Sequence, residues 1–333
     1  METLVPILPI LILGFIQSIL TGISGAPSVI AAMIASRAIG VYRALFLSTL
    51  AQFVGPFLLG AAAATVIGAE VVNIQHIPPI ALYSGLIATI VWMLLAFMLR
   101  IPSSSTHAVL GGLIGATVTA SGISAIQPTG LLKVVLSLLL SAPIGFVGGF
   151  VMMRVTRWFA IAIHATPRIN RRFNEAQWFT SFGLGVALGS INAQAMMGMI
   201  TLGLVLAGFL PHFTVPLWVI AVCAAGLAIG NLAGGLRLIK SVGSRFFQIR
   251  PIHAFSAEIA AALIVASSSL VGSNVSATHV TNFSIVGAGA AERMSMVRWG
   301  FVKNVFVTWI LTIPMTALMA GVVYFILSEL RVK

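Results

Sequence analysis

Ten long apolar segments, five in each half of a 333-residue chain, leave the backbone few ways to satisfy its hydrogen bonds. They run near 4–36, 44–68, 77–99, 105–121 and 131–153, and then near 176–210, 214–236, 251–271, 278–291 and 300–327. Crossing the hydrocarbon of a bilayer takes roughly 20 apolar residues in a helix, whereas a membrane barrel shows short alternating segments. Inside lipid only helices and closed barrels satisfy every backbone group. The continuous runs therefore predict an all-α polytopic membrane protein. With 59% hydrophobic residues, 7% charged residues and a mean hydropathy of +1.10, a soluble domain is excluded.

The two halves repeat one another. Ser104-x-Thr106-His107 returns as Ser276-x-Thr278-His279, Pro79-Ile80 and Ser84 return as Pro251-Ile252 and Ser256, and Gly115-Ala116 returns as Gly287-Ala288. Five segments per copy is an odd number, so the second copy is expected upside down, as in the inverted repeats of many secondary transporters. Basic residues support this. With the N-terminus outside, 15 of the 18 Lys and Arg residues fall on the inner side, leaving Lys133, Arg331 and Lys333 outside. The expected division is a first repeat over 1–153, a basic cytoplasmic linker over 154–175 and a second repeat over 176–333. The short Gly-rich segments near 105 and 278 are candidates for re-entrant hairpins, and the segments near 4–36 and 176–210 are expected to be interrupted.

The net charge of +12 comes from short connections between apolar runs, where membrane anchoring explains it without nucleic acid. The single Cys223 excludes an internal disulfide. The first apolar run has an acidic start, Glu2, and no basic n-region, so it reads as a retained helix.

Polar clusters survive in hydrocarbon only where protein or a water-filled cavity satisfies them. Four places qualify: GISGAPS (22–28), PSSSTH (102–107), GSINAQ (189–194) and GSNVSATH (272–279). Pro102 disfavours helix before it, and Ser103 or Ser104 is a natural N-cap for a helix starting near Ser105. Such a helix start carries free N–H groups, hydroxyls and a partial positive charge, which suit an anion. The second copy offers Asn274, Ser276, Ala277, Thr278 and His279 in the same pattern, and inversion would let the two starts face each other. Capping alone is the competing explanation of either copy. His107 and His279 are read as anion donors, hydroxyl orienters or carbonyl partners.

These residues carry a resemblance. The chain resembles the PiT family of inorganic phosphate transporters along nearly its whole length, through SSSTHAVLGGLIGA, VSATH, GAGAAERMSMVRWGFVKNVFVTWILTIP and ASRAIGVYRALFLS. The resemblance implies a transporter with substrate groups at the two Ser/Thr patches and at two family signatures that each contain an aspartate. Here those signatures read Gly22, Ser24-Gly25, Pro27-Ser28 and Ile191-Asn192-Ala193-Gln194-Ala195, and the chain has no aspartate at all. Sulfate only accepts hydrogen bonds, whereas phosphate near neutral pH keeps a proton to donate. Losing both acids therefore points to sulfate, a direction the family's bacterial sulfate permease branch shares. Phosphate in a rearranged site is the alternative.

The expected substrate set is Ser24, Gly25, Ala26, Ser28, Ser104, Ser105, Thr106, Asn192, Gln194, Ser276, Ala277 and Thr278, with an unwound backbone at 22–28. Loss of hard-cation ligands argues against sodium and leaves protons, with His107, His279 and Glu258 as carriers. Glu258 is equally readable as a neutral acid bonding a neighbouring helix. No cofactor or metal is expected, and the partners are the oxyanion, lipid and a second copy of the chain as a homodimer. An intramembrane serine enzyme is disfavoured, because neither Ser/His patch has an acid nearby. A transport-inactive sensor remains as a third reading.

Overall fold

The computed structural model describes residues 7–36, 38–99, 101, 103–162, 169–238, 250–297 and 299–330. Eleven α-helices are found among them: α1 (Ile7–Ala35), α2 (Val41–Leu59), α3 (Ala62–Thr65), α4 (Pro79–Met98), α5 (Ser105–Ser121), α6 (Pro128–Ala162), α7 (Ile169–Leu206), α8 (Leu217–Leu238), α9 (Pro251–Val271), α10 (Ala277–Glu292) and α11 (Trp299–Glu329). Eight of these are long and apolar enough to cross a membrane; α3, α5 and α10 are not. The β structure among the described residues is one isolated bridge, Val72 to Ile126.

Two helix pairs fold back on themselves. The feet of α4 and α5 are tied by Ser121 Oγ donating to the His76 carbonyl at 2.5 Å and by Asn73 N donating to the Ala125 carbonyl at 2.8 Å. Those of α9 and α10 are tied by the Arg250–Glu292 ion pair and by His253 Nε2 to Glu292 at 2.6 Å. Proline stands at the start of both α4 and α9, and Ser84 and Ser256 each donate back four residues, to Ile80 and Ile252. The duplicated residues thus make duplicated bonds.

The hairpins enter from opposite ends. Ile7, Ile10, Leu82 and Leu86 share one core cluster near the feet of α4–α5, while Ser36 at the far end of α1 bonds Gln177, which donates to the Pro251 carbonyl at the foot of α9. α1 and α7 run antiparallel, since Gly14 faces Ile200, Gly25 faces Asn192 and Ser36 faces Gln177. Each half therefore contains three helices running end to end and one hairpin, an odd number of passages that keeps the repeats inverted. The first described residue, Ile7, and the last helix's end, Glu329, lie at the same end, because α11 follows α5 from Thr312 beside Ser103 to Gly321 beside Thr119.

The expected interruptions of the first and sixth segments do not occur: α1 and α7 are continuous. Glycine at 22–28 and 189–194 serves close approach instead of unwinding. A Cβ on Gly22 would strike α8 backbone at Leu227, and one on Gly189 would strike α2 backbone at Gln52. Small residues let membrane helices approach closely. Pro27 is accommodated within α1, and Gly25 is helical. The chain breaks elsewhere, after α2, where Gly60 takes a φ of 74° before α3 and a π-helical turn over Val66–Glu70. Backbone with a positive φ of this kind favours glycine.

The stretch read as a linker, 154–175, is largely helical: α6 continues to Ala162 and α7 begins at Ile169. Residues 163–168, the flanks 1–6 and 331–333, and Arg37, Arg100, Pro102, Lys240, Arg245 and Arg298 lie outside the described residues.

Candidate oxyanion site

The tips of the two hairpins meet in the interior. Ser104 caps α5 and Ser276 caps α10, each with φ and ψ outside the helical region and each accepting from the backbone N–H three residues on. Their hydroxyls touch at 3.1 Å. The helices begin at Ser105 and Ala277, as the spacing of the cap residues predicts. In each case the first-turn N–H groups of Ser105 and Thr106, and of Ala277 and Thr278, precede the first intrahelical bond, made by Ala108 or Val280. Two helix starts, with their partial positive charges, thus converge on one place.

Other elements hold the tips. Ser141 Oγ of α6 accepts from Ser276 N at 2.9 Å, and Ser137 bonds Ser273 at 2.9 Å. Trp92 Nε1 donates to Ser103 at 2.8 Å, and Ser103 bonds Thr312 of α11 at 3.2 Å. His107 Nδ1 lies 2.8 Å from Ser104 Oγ. The His107 and His279 rings are 4.6 Å apart, and His279 stacks on Trp309 at 3.4 Å between centroids. Among the described residues, the side chains of Ser105, Thr106 and Thr278 make no hydrogen bond within the protein. Asn274 Nδ2 and His279 Nε2 are buried without a partner.

The α1 and α7 residues lie beside these tips. Val29 and Ile30 share a core cluster with Leu188, Ile191, Val275 and Ala277. Gly25 faces Asn192, whose Nδ2 would stand 3.4 Å from a Cβ placed there. Ala26 is fully buried, Ser28 nearly so, and Ser24 donates to the Thr21 carbonyl at 3.0 Å. Ser24, Gly25, Ala26 and Ser28 are therefore helical residues of α1, not an unwound strand of backbone.

Gln194 has a different occupation. Its Oε1 accepts from Ala63 N at 2.7 Å, and its Nε2 reaches the Gly60 carbonyl at 3.0 Å, Ser190 at 3.0 Å and Ser269 at 2.5 Å. Ala63 N and the Gly60 carbonyl are backbone groups of the break after α2. The amide satisfies them, so Gln194 clamps the break; the pattern Ser190, Gln194, Ser269 was readable only with the location of that break in hand. Glu258 is also away from the tips. It lies fourteen residues before the end of α9 at Gly272, about 21 Å along the helix. There it accepts from Thr180 Oγ1 of α7 at 2.5 Å, with Oε1 unpartnered.

Among the described residues no group of three His, Cys, Asp or Glu side chains is placed to hold a metal ion. A Ser–His pair exists in Ser104 and His107, but the group beside the imidazole is another imidazole, not an orienting acid.

Inverted halves, paired hairpins and a shared polar tip define a polytopic membrane protein of the transporter type. The Phosphate transporter family (PHO4) matches residues 21–320, and the chain belongs to that family. It is 32% identical over 308 residues to a probable low-affinity inorganic phosphate transporter of Rhizobium meliloti, covering 92% of each chain. It is 31% identical over 312 residues to a protein of the same description from Bacillus subtilis, covering 93% of each. A solved structure described as "The sodium-dependent phosphate transporter" superposes with a TM-score of 0.88 over 99% of this chain and 100% of that one, at 20% identity.

Proposed function

We propose that the chain is a secondary transporter that imports inorganic phosphate across the cell membrane by alternating access. The observation that carries this reading is the contact of two capped helix starts, Ser104 to Ser276 at 3.1 Å, buried between hairpins that enter from opposite ends. Free first-turn N–H groups and hydroxyls at such a junction suit a tetrahedral oxyanion. Phosphate is preferred over sulfate because relatives near 32% identity across almost the full length are described as phosphate transporters. That preference reverses the sequence-based expectation of sulfate, to which the relatives lend no support. Sulfate remains a second reading on one ground, the absence of aspartate from the whole chain.

In this reading the two repeats, 1–153 and 176–333, rock about the tips, with both termini outside and a homodimer as the assembly. The coupling ion is a proton or sodium. The structural neighbour is described as sodium-dependent, which keeps sodium in the comparison against the expectation from the missing carboxylates. Purified protein in liposomes should take up labelled phosphate, with excess phosphate or arsenate competing and excess sulfate not. Uptake of labelled sulfate that phosphate cannot inhibit would move the assignment to the second reading.

A further inference from the structure

We infer that His279 is a specificity-determining residue, whose Nε2 accepts the proton of a protonated oxyanion and so separates phosphate from sulfate. This rests on the oxyanion-transport reading and deepens it.

The tip of the second hairpin buries two polar atoms without partners. Asn274, 3% exposed, leaves Nδ2 unpaired, and His279, 4% exposed, leaves Nε2 unpaired. The Leu138 carbonyl of α6 acts on the His279 ring as an acceptor, and because Nε2 has no partner we place that interaction at Nδ1. A carbonyl only accepts, so that nitrogen, Nδ1, carries the hydrogen. In the neutral imidazole Nε2 is then a lone-pair acceptor. The ring cannot turn away easily, being held between His107 at 4.6 Å and Trp309 at 3.4 Å.

The junction therefore offers more than donors. Thr106, Thr278, the first-turn amides and the Asn274 amide donate, while His279 Nε2 requires a donor. Hydrogenphosphate answers both needs with its P–O⁻ oxygens and its P–OH. Sulfate answers the first and leaves Nε2 facing a bare oxygen. A site built to bond a substrate hydroxyl discriminates strongly against an analogue that lacks it. The neutral acceptor replaces the role that a carboxylate would play, without adding a negative charge beside an anion.

The test is competition for phosphate uptake by reconstituted protein at one fixed pH, using arsenate, sulfate, selenate and monofluorophosphate, in which P–F replaces P–OH. Wild-type protein should be inhibited well by arsenate and at least tenfold more weakly by the three anions without a proton. In His279→Phe, which keeps a ring against Trp309 but has no acceptor, phosphate and arsenate affinity should fall tenfold or more. Sulfate, selenate and monofluorophosphate should change less than twofold, so the preference collapses. His279→Gln, which restores an acceptor oxygen, should recover part of it. Equal losses for all anions in His279→Phe, or unchanged discrimination, would overturn the inference. If that variant does not fold, the wild-type comparison of monofluorophosphate with phosphate decides alone, equal competition being the overturning result. Wild-type protein that carries sulfate and ignores phosphate would instead remove the cargo reading, a separate outcome.

Discussion

Ser104 Oγ and Ser276 Oγ lie 3.1 Å apart, the cap of one hairpin against the cap of the other. This contact turns a sequence repeat into a site, because each residue ends a break in helix and each opens a turn of unpaired N–H groups. It also gives a direct test. With Cys223 buried as the single native cysteine, Ser104→Cys combined with Ser276→Cys should oxidise to an internal disulfide, for which the Cβ atoms need to approach within about 4.5 Å. Mass spectrometry should find the linked peptides, and uptake should stop until a reductant is added. Two free thiols under oxidant would place the tips further apart.

Thr106→Val and Thr278→Val each remove one hydroxyl from the junction and keep side-chain shape. Neither hydroxyl has another partner among the described residues, so folding should be unaffected. A hydrogen bond to a charged group contributes about 1.5–3 kcal/mol. Each variant should therefore raise the concentration of phosphate needed for half-maximal uptake about tenfold or more. Wild-type values in both would take these threonines out of the site.

Much of this was legible in the residues. The odd number of segments per half predicted inversion, and folding the third and fourth segments of each half into a hairpin removes two passages per half without changing that parity. Ser104 and Ser276 were readable as caps because Ser before a helix bonds the N–H three residues on. The helix break was misplaced because glycine has two uses. At Gly22 and Gly189 it admits a neighbouring backbone, at Gly60 it supplies a positive φ, and only the facing helix distinguishes these. The surroundings of His279 were hidden for a similar reason, since the rings that flank it, His107 and Trp309, come from distant parts of the chain.

Gln194→Met retains length and removes the amide. Ala63 N and the Gly60 carbonyl would lose these bonds, while the Ser269 hydroxyl keeps Ser190 at 2.7 Å. An unsatisfied buried group costs about 1–3 kcal/mol. By the same measure the variant should lose about 2–4 kcal/mol of stability, read as a lower Tm in detergent, and added phosphate should still raise its Tm. An unchanged Tm together with lost phosphate binding would return Gln194 to the substrate set.

Glu258 offers the last test, of coupling. It is a buried carboxyl on a membrane-length helix, bonded through Oε2 by Thr180 and with Oε1 unpartnered. Ionisable groups inside membrane helices are costly to retain, and proton relays are one of the functions they mark. If Glu258 carries the coupling proton, Glu258→Gln keeps the bonding shape and fixes the neutral form. Uptake driven by an inward proton gradient should then fail, while exchange of internal for external phosphate continues, because exchange requires no net proton movement. Thr180→Val should weaken gradient-driven uptake without abolishing it. Gradient-driven uptake at the wild-type rate in Glu258→Gln would reduce the residue to a helix-packing partner of Thr180 and make sodium the coupling ion to examine.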